Sequence, residues 1–115
     1  MATPVSSIAM FLAASVLGAV GQFLYKSGAD SAEGGLASYL LNARILIGVL
    51  CYTAVMVLFV AAFKRGGELS TLYPIYATTF IWAAVIALVA YGTPIRPINA
   101  AGMGLLVAGM YCMGR

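Results

Sequence analysis

The placement of the charged side chains limits this chain more than any other feature. Its nine charged residues divide the sequence into four uncharged stretches, at residues 1–25, 45–63, 69–95 and 97–114. A helix needs about 20 predominantly apolar residues to cross the ~30 Å hydrocarbon core of a bilayer. Each stretch reaches or nearly reaches that length. The charge pattern therefore predicts four membrane-spanning helices.

Composition excludes the soluble alternative. Hydrophobic residues make up 63% of the 115 residues and charged residues 8%, whereas a typical globular protein is about 25% charged. A chain of this size has too little interior to hide so much apolar surface from water. The expected solvent for most of this chain is lipid.

We predict an all-α integral membrane protein, a single four-helix transmembrane bundle over residues 1–115 with both termini on the same side. The predicted helices cover about 5–26, 42–63, 72–91 and 97–113. The last is short and is expected to stand upright or in a thinned bilayer. A cleaved signal peptide is the alternative for the first stretch, but residues 1–7 lack the Lys or Arg of an n-region.

The distribution of basic residues leaves the orientation in the membrane open. Three lie on the side of the termini and three on the opposite side: Lys64, Arg65 and Arg115 against Lys26, Arg44 and Arg96. Orientation follows the excess of Lys and Arg in cytoplasmic loops. A tie permits insertion in both orientations, which is a hypothesis that a C-terminal reporter would test.

Side chains suited to enzyme chemistry are scarce. The chain has no His, no CxxC motif and no phosphate-binding glycine motif. Its three carboxylates lie in predicted loops or at helix ends, and its two cysteines lie inside predicted helices, where thiols act as small apolar side chains. We expect no enzyme activity, no cofactor and no metal.

Polar and aromatic residues inside the predicted helices are costly in lipid and call for a reason. At about 100° per residue, one face of helix one carries Ser15, Gly18, Gln22 and Tyr25, with Lys26 beside it. Helix three carries an aromatic stripe of Tyr73, Tyr76 and Phe80. These residues are predicted to form a binding cavity. The predicted substrate-binding residues among them are Gln22, Tyr25, Tyr73 and Tyr76, and the predicted cavity-lining residues are Ser15, Gly18 and Phe80. The alternative is that Gln22 bonds to a neighbouring helix while the aromatic rings pack or form an interfacial belt.

Three basic residues are expected at one membrane face. Lys26 ends helix one, Arg44 begins helix two and Arg96 lies between helices three and four. Guanidinium and ammonium groups suit phosphate oxygens, so these side chains are predicted to clamp an anionic group. The alternative is snorkelling to lipid headgroups. Lys26 is the stronger candidate because it continues the Gln22 face.

Helix four carries small residues on two faces. Gly102, Leu106 and Gly109 share one face, and a small-xxx-small series at 100, 104 and 108 occupies the other. Small residues permit the close backbone approach that drives helix association in lipid. Four short helices enclose little volume, so a homodimer, or a heterodimer with a similar chain, is predicted with a cavity at the seam and Gly102, Leu106 and Gly109 at the interface.

The order of several motifs resembles a transporter family. The set comprises Gly21-Gln22-x-x-x-Lys26, Tyr73-Pro74, Phe80-x-Trp82, Gly92-x-Pro94, and Gly102 with Gly109. It resembles the four-helix members of the drug/metabolite transporter superfamily, in particular EamA-like chains similar to the two subunits of the aminoarabinose undecaprenyl-phosphate flippase. It is more distantly similar to the small multidrug resistance transporters. The resemblance implies a bacterial cytoplasmic (inner) membrane location.

Two departures bear on the substrate. Small multidrug resistance proteins carry a glutamate in helix one, and alignment on Lys26 places Gly18 at about that position. Thr93 stands where many relatives have an acid. Without a carboxylate in any predicted span, a buried cationic drug would lack a partner charge.

The sequence therefore predicts a small transporter or flippase subunit for an anionic or lipid-linked substrate, with a polyprenyl-phosphate-linked sugar or related lipid intermediate as the leading candidate. Two alternatives stay open. One is a drug or metabolite exporter of the small multidrug resistance type. The other is a membrane subunit that anchors or assembles an enzyme. The expected partners are the bilayer, the substrate and a second four-helix chain, with no role for nucleic acid.

Overall fold

The computed structural model describes residues 3–114, so Arg115, one of the basic residues in the orientation count, lies outside the described residues. This part of the chain is all-helical. Its helices are α1 (Val5–Ser31), α2 (Leu36–Leu40), α3 (Ala43–Lys64), α4 (Leu69–Tyr76), α5 (Thr79–Tyr91) and α6 (Pro97–Met113).

Within residues 3–114, three apolar segments are long enough to cross a membrane, which is consistent with the expected membrane-spanning helices. They are α1, α3 and the combined α4–α5 segment Leu69–Tyr91. The fourth, α6, is apolar but has 17 residues. The predicted positions of the long helices follow from the charge gaps, because hydrocarbon admits few charged side chains.

Helix α1 continues past the predicted end near residue 26 to Ser31. The additional turn is tied to the start of α3 by Asn42. Its side-chain amide donates to the Gly28 carbonyl at 3.1 Å and to the Ser31 hydroxyl at 3.2 Å. Its Oδ1 accepts from the backbone N–H groups of Arg44 and Ile45, which caps α3. These hydrogen bonds hold the end of α1 beside the beginning of α3.

The third apolar segment is broken between α4 and α5, where one continuous helix was expected. Pro74 lies inside α4 and has no backbone N–H to donate. In the turn that follows, the N–H groups of Ala77 and Thr78 donate to carbonyls three residues back, at 2.9 and 3.1 Å. The Thr78 hydroxyl also donates to the Ile75 carbonyl at 2.9 Å. Bonding of this kind by Thr bends helices.

The tightest packing joins α1 to α3 and α4 at the end of the bundle that holds residue 7. Phe11, Ala62, Leu72 and Ile75 form a buried cluster. The Phe11 ring stacks on Phe59 with centroids 4.4 Å apart. Stacked rings and close backbone approach stabilise helix pairs in lipid, where no hydrophobic effect operates between helices.

Towards the other end, α1 and α3 pack with a tyrosine of each helix against a glycine of the other. A Cβ placed on Gly21 of α1 would lie 2.7 Å from the Tyr52 ring, and one on Gly48 of α3 would lie 2.8 Å from the Tyr25 ring. The two tyrosine rings stack with centroids 5.4 Å apart. Each ring therefore occupies the space that a side chain on the facing glycine would fill.

Helix α6 is packed far less closely. It has no buried residue among those described, and its main neighbour is α4. Among the described residues, no side chain and no backbone beyond the local turns of α6 comes within 4 Å of a Cβ placed on Gly102, Gly104 or Gly109. The small-residue faces of α6 are therefore open rather than filled by this chain's own helices.

Candidate functional site

A groove of about 490 Å³ runs between α1 and α5; we call it the α1–α5 groove. The lining residues of each helix recur at intervals of three or four, because residues at that spacing share a helix face. The lining residues are Ala19, Gln22, Phe23 and Lys26 from α1, Ala83, Ile86, Ala87 and Tyr91 from α5, and Thr93 beyond it. Alanines on both helices leave the space open.

Lys26 supplies the positive charge of this groove. Its Nζ lies 3.3 Å from Oδ2 of Asp30, one helical turn along α1, and both side chains are about three-fifths exposed (61% and 60%). The same Nζ lies 5.4 Å from the centroid of the Tyr91 ring, within cation–π range. Exposed ion pairs and cation–π contacts are weak, of the order of 1 kcal/mol or less. The ammonium is therefore held in place but is readily released to another anion.

Gln22 connects the groove to a polar seam inside the bundle. Its Nε2 donates to the Tyr52 hydroxyl at 2.7 Å, and that hydroxyl donates to the Gly18 carbonyl at 3.2 Å. The Tyr76 hydroxyl lies against Gly18, where a side chain would displace it, and Thr79 lies next to it. The seam joins α1, α3, the end of α4 and the start of α5 through polar atoms within apolar segments.

Tyr52 and Thr79 are the residues of this seam that were not predicted from the sequence. A signal for Tyr52 was present, because the polar pair Tyr52-Thr53 interrupts the otherwise apolar second stretch. Hydroxyl groups of this kind find a hydrogen-bond partner when buried. The Gln22–Tyr52 bond matches the alternative in which Gln22 bonds to a neighbouring helix, yet Gln22 also lines the groove.

The other predicted cavity residues are distributed around the bundle. Tyr25 stacks on Tyr52 and does not line the groove. The buried Ser15 hydroxyl donates to the Leu12 carbonyl of its own helix at 2.6 Å. Tyr73 is exposed and stacks with Tyr76, their centroids 6.4 Å apart.

Phe80 lines a second space, of about 440 Å³, which we call the α5–α6 groove. Its other lining residues are Ala84, Ile98, Asn99, Gly102, Met103 and Leu106. Two of the three residues predicted for a dimer interface, Gly102 and Leu106, thus line this groove together. Gly109 is exposed farther along α6.

Lys26, Arg44 and Arg96 belong to one end of the bundle, which we call the basic end. The Asn42 bonds hold the start of α3 at the end of α1, and Thr93 lines the groove with Lys26. The two arginines are exposed and do not line the groove. The Arg96 N–H donates to Asn99 Oδ1 at 3.0 Å at the start of α6. Of the three predicted clamp residues, only Lys26 projects into the groove.

The α1–α5 groove thus combines an ammonium and an amide at its basic end with apolar walls along its length. That arrangement fits an amphipathic ligand with an anionic head and an apolar body.

No protein-family model, curated protein or solved structure matches this chain.

Proposed function

We propose that this chain is a subunit of a small membrane transporter or flippase for an anionic or lipid-linked substrate, with a polyprenyl-phosphate-linked sugar as the leading candidate. The single observation that carries the proposal is the α1–α5 groove, where the Lys26 ammonium lies at one end of a largely apolar lining. The same proposal makes the chain a four-helix member of the drug/metabolite transporter superfamily in a bacterial inner membrane.

In the proposed mechanism, Lys26 binds the phosphate at the basic end. The Gln22 amide, which lines the same groove, faces the polar part of the head. The apolar body of the substrate lies against the alanine and isoleucine side chains of α5. Because the groove is open at its side, a lipid tail remains in the bilayer while the head moves. Arg44 and Arg96 raise the concentration of anions at this face through long-range attraction.

The helix directions support a four-span topology with both termini on one side. Gly18 lies next to Thr79 at the start of α5, and Lys26 lies next to Tyr91 at its end, so α1 and α5 run in the same direction. α3 begins where α1 ends and runs back, and α6 begins at the basic end. In this proposal α6 is a fourth span.

The open faces of α6 support assembly with a second four-helix chain. Gly102 and Gly109 have room for a closely approaching helix backbone, and Leu106 lines the α5–α6 groove beside Gly102. A second chain seated there, a copy or a similar subunit, would bury apolar surface that α6 leaves exposed and would complete the transporter.

The test is transport by purified protein in phosphatidylcholine proteoliposomes. The probe is a fluorescent short-chain polyprenyl-phosphate sugar, whose exposure is read by dithionite quenching. We expect Lys26→Ala to abolish flipping and Lys26→Arg to retain it, because either cation binds a phosphate. Lys64→Ala is the matched control, since Lys64 lies at the far end of α3. Unchanged flipping by Lys26→Ala would reject the clamp.

One observation favours an exporter of organic cations as a second candidate. The Lys26 ammonium sits between a carboxylate and an aromatic ring, and the same two groups would hold an organic cation if Lys26 moved away. That candidate predicts that cells expressing the protein tolerate ethidium better than cells without it, and that Asp30→Asn removes the tolerance.

The open α6 faces favour a third candidate, a membrane subunit that anchors or assembles an enzyme. It predicts that Gly102→Leu and Gly109→Leu are damaging whereas Gln22→Ala and Lys26→Ala are silent. Substitution at the groove and at α6 therefore separates transport from assembly.

A further inference from the structure

We propose that Asp30 lowers the affinity of the α1–α5 groove for anionic ligands by competing with them for the Lys26 ammonium. A ligand must replace this carboxylate before it gains the full attraction of the positive charge. The inference rests on the proposed function of the groove and adds a residue that lies outside its lining.

The geometry places Asp30 where a competitor must be. Residues four apart on a helix are neighbours, and Oδ2 of Asp30 lies 3.3 Å from the Lys26 Nζ. This register exists because α1 stays helical to Ser31. The Asn42 bonds to the Gly28 carbonyl and the Ser31 hydroxyl hold that last turn against α3. The carboxylate is therefore fixed beside the ammonium rather than free in a loop.

The Lys26–Asp30 ion pair weakens the attraction of the groove for anions. With Asp30 in contact, the mouth of the groove carries one positive and one negative charge, so a weakly held anion gains little there. A phosphate with several oxygens replaces the carboxylate by making charge-assisted hydrogen bonds of its own. The Tyr91 ring keeps the ammonium over the groove during this exchange. When no ligand is bound, the ion pair also lowers the free-energy cost of holding the ammonium at the edge of the lipid.

Glu33 is the matched control. It lies three residues beyond Asp30, past the end of α1 and exposed at the same end of the bundle. Glu33→Gln and Asp30→Asn remove the same charge from the same face of the membrane. Only the second removes the carboxylate that contacts Lys26.

The experiment follows the two lysines of the sequence, Lys26 and Lys64, by NMR of protein labelled with ¹³Cε-lysine in dodecyl maltoside micelles. Dodecyl phosphate is the titrated probe. We expect the Lys26 signal to move and the Lys64 signal to stay. The Kd in Asp30→Asn should fall roughly two- to five-fold, the change that corresponds to the strength of an exposed ion pair.

The controls keep this outcome separate from the proposed function. Glu33→Gln and Asp30→Glu should bind with nearly the wild-type Kd, because each retains a carboxylate next to Lys26. If the Lys26 signal responds equally in the wild type and in Asp30→Asn, or if Asp30→Glu binds as tightly as Asp30→Asn, the role of Asp30 is overturned while the Lys26 site stands. If the Lys26 signal responds in no variant, both proposals fail.

Discussion

The two grooves on either side of α5 have similar volumes but different chemistry. Each has an amide and at least one aromatic ring. The α1–α5 groove, about 490 Å³, also carries the Lys26 ammonium, whereas the α5–α6 groove, about 440 Å³, has an uncharged lining among the described residues and includes Gly102. Charge inside an apolar groove is costly unless a ligand uses it. Small residues favour a facing helix. In the proposed function, this difference corresponds to ligand binding in the first groove and helix packing in the second.

The largest effect is expected when the same bulky side chain is placed in each groove, which tests whether the two grooves have different roles. Ala87 lines the α1–α5 groove and Ala84 the α5–α6 groove, one turn apart on α5. Ala87→Phe should weaken dodecyl phosphate binding about fivefold or more, since the ring takes space that the ligand needs and overpacking costs about 1–3 kcal/mol. The Lys26 NMR signal measures that binding.

Ala84→Phe is the matched variant and should leave anion binding at the wild-type level. Equal losses in the two variants would mean that the phenylalanine disturbs α5 as a whole. The division of roles between the grooves would then have no support.

The α5–α6 groove is tested by self-association. Gly102→Leu places a bulky side chain on the open face of α6, and in the proposed dimer it should weaken association by about 1–3 kcal/mol. Energy transfer between labelled protomers in micelles provides the measurement. The anion affinity of each chain should stay the same. Association that is unaffected by leucine at both Gly102 and Gly109 would move the interface to another surface.

The smallest expected effect concerns the polar seam that supports the α1–α5 groove. Tyr52→Phe removes the hydroxyl that joins Gln22 to the Gly18 carbonyl. Interhelical hydrogen bonds in membranes average about 0.6 kcal/mol each. Because two are lost, the free energy of unfolding in mixed micelles should fall by about 1 kcal/mol. A double-mutant cycle with Gln22→Ala isolates the bond, and a coupling energy of zero would show that the bond contributes nothing.

The sequence predicted those parts of the structure that depend on charge and periodicity. Charge gaps indicate the long helices, and the 3.6-residue period places Gln22 and Lys26 on one face of α1, where both line the groove. The end of α1 and the break before α5 depend on hydrogen bonds from Asn42 and Thr78. Hydropathy does not report such bonds.

The facing wall of the site was not predictable in the same way. Ala83, Ile86 and Ala87 look like any residues of an apolar span. Their role arises only because α5 packs beside α1, which is a property of the tertiary structure. The contact of Tyr25 with Gly48 arises likewise, since a glycine on another helix makes the space that the tyrosine fills.

The most direct test of the account is to locate the bound anion. Wild-type protein in micelles is irradiated with a dodecyl phosphate that carries a diazirine along its chain, and the adducts are mapped by mass spectrometry. We expect labelling in the α1–α5 groove, at Ala83, Ile86 or Ala87, that is lost in Lys26→Ala and kept in Lys64→Ala. Labelling confined to the α5–α6 groove, or insensitive to Lys26, would contradict anion binding in the α1–α5 groove.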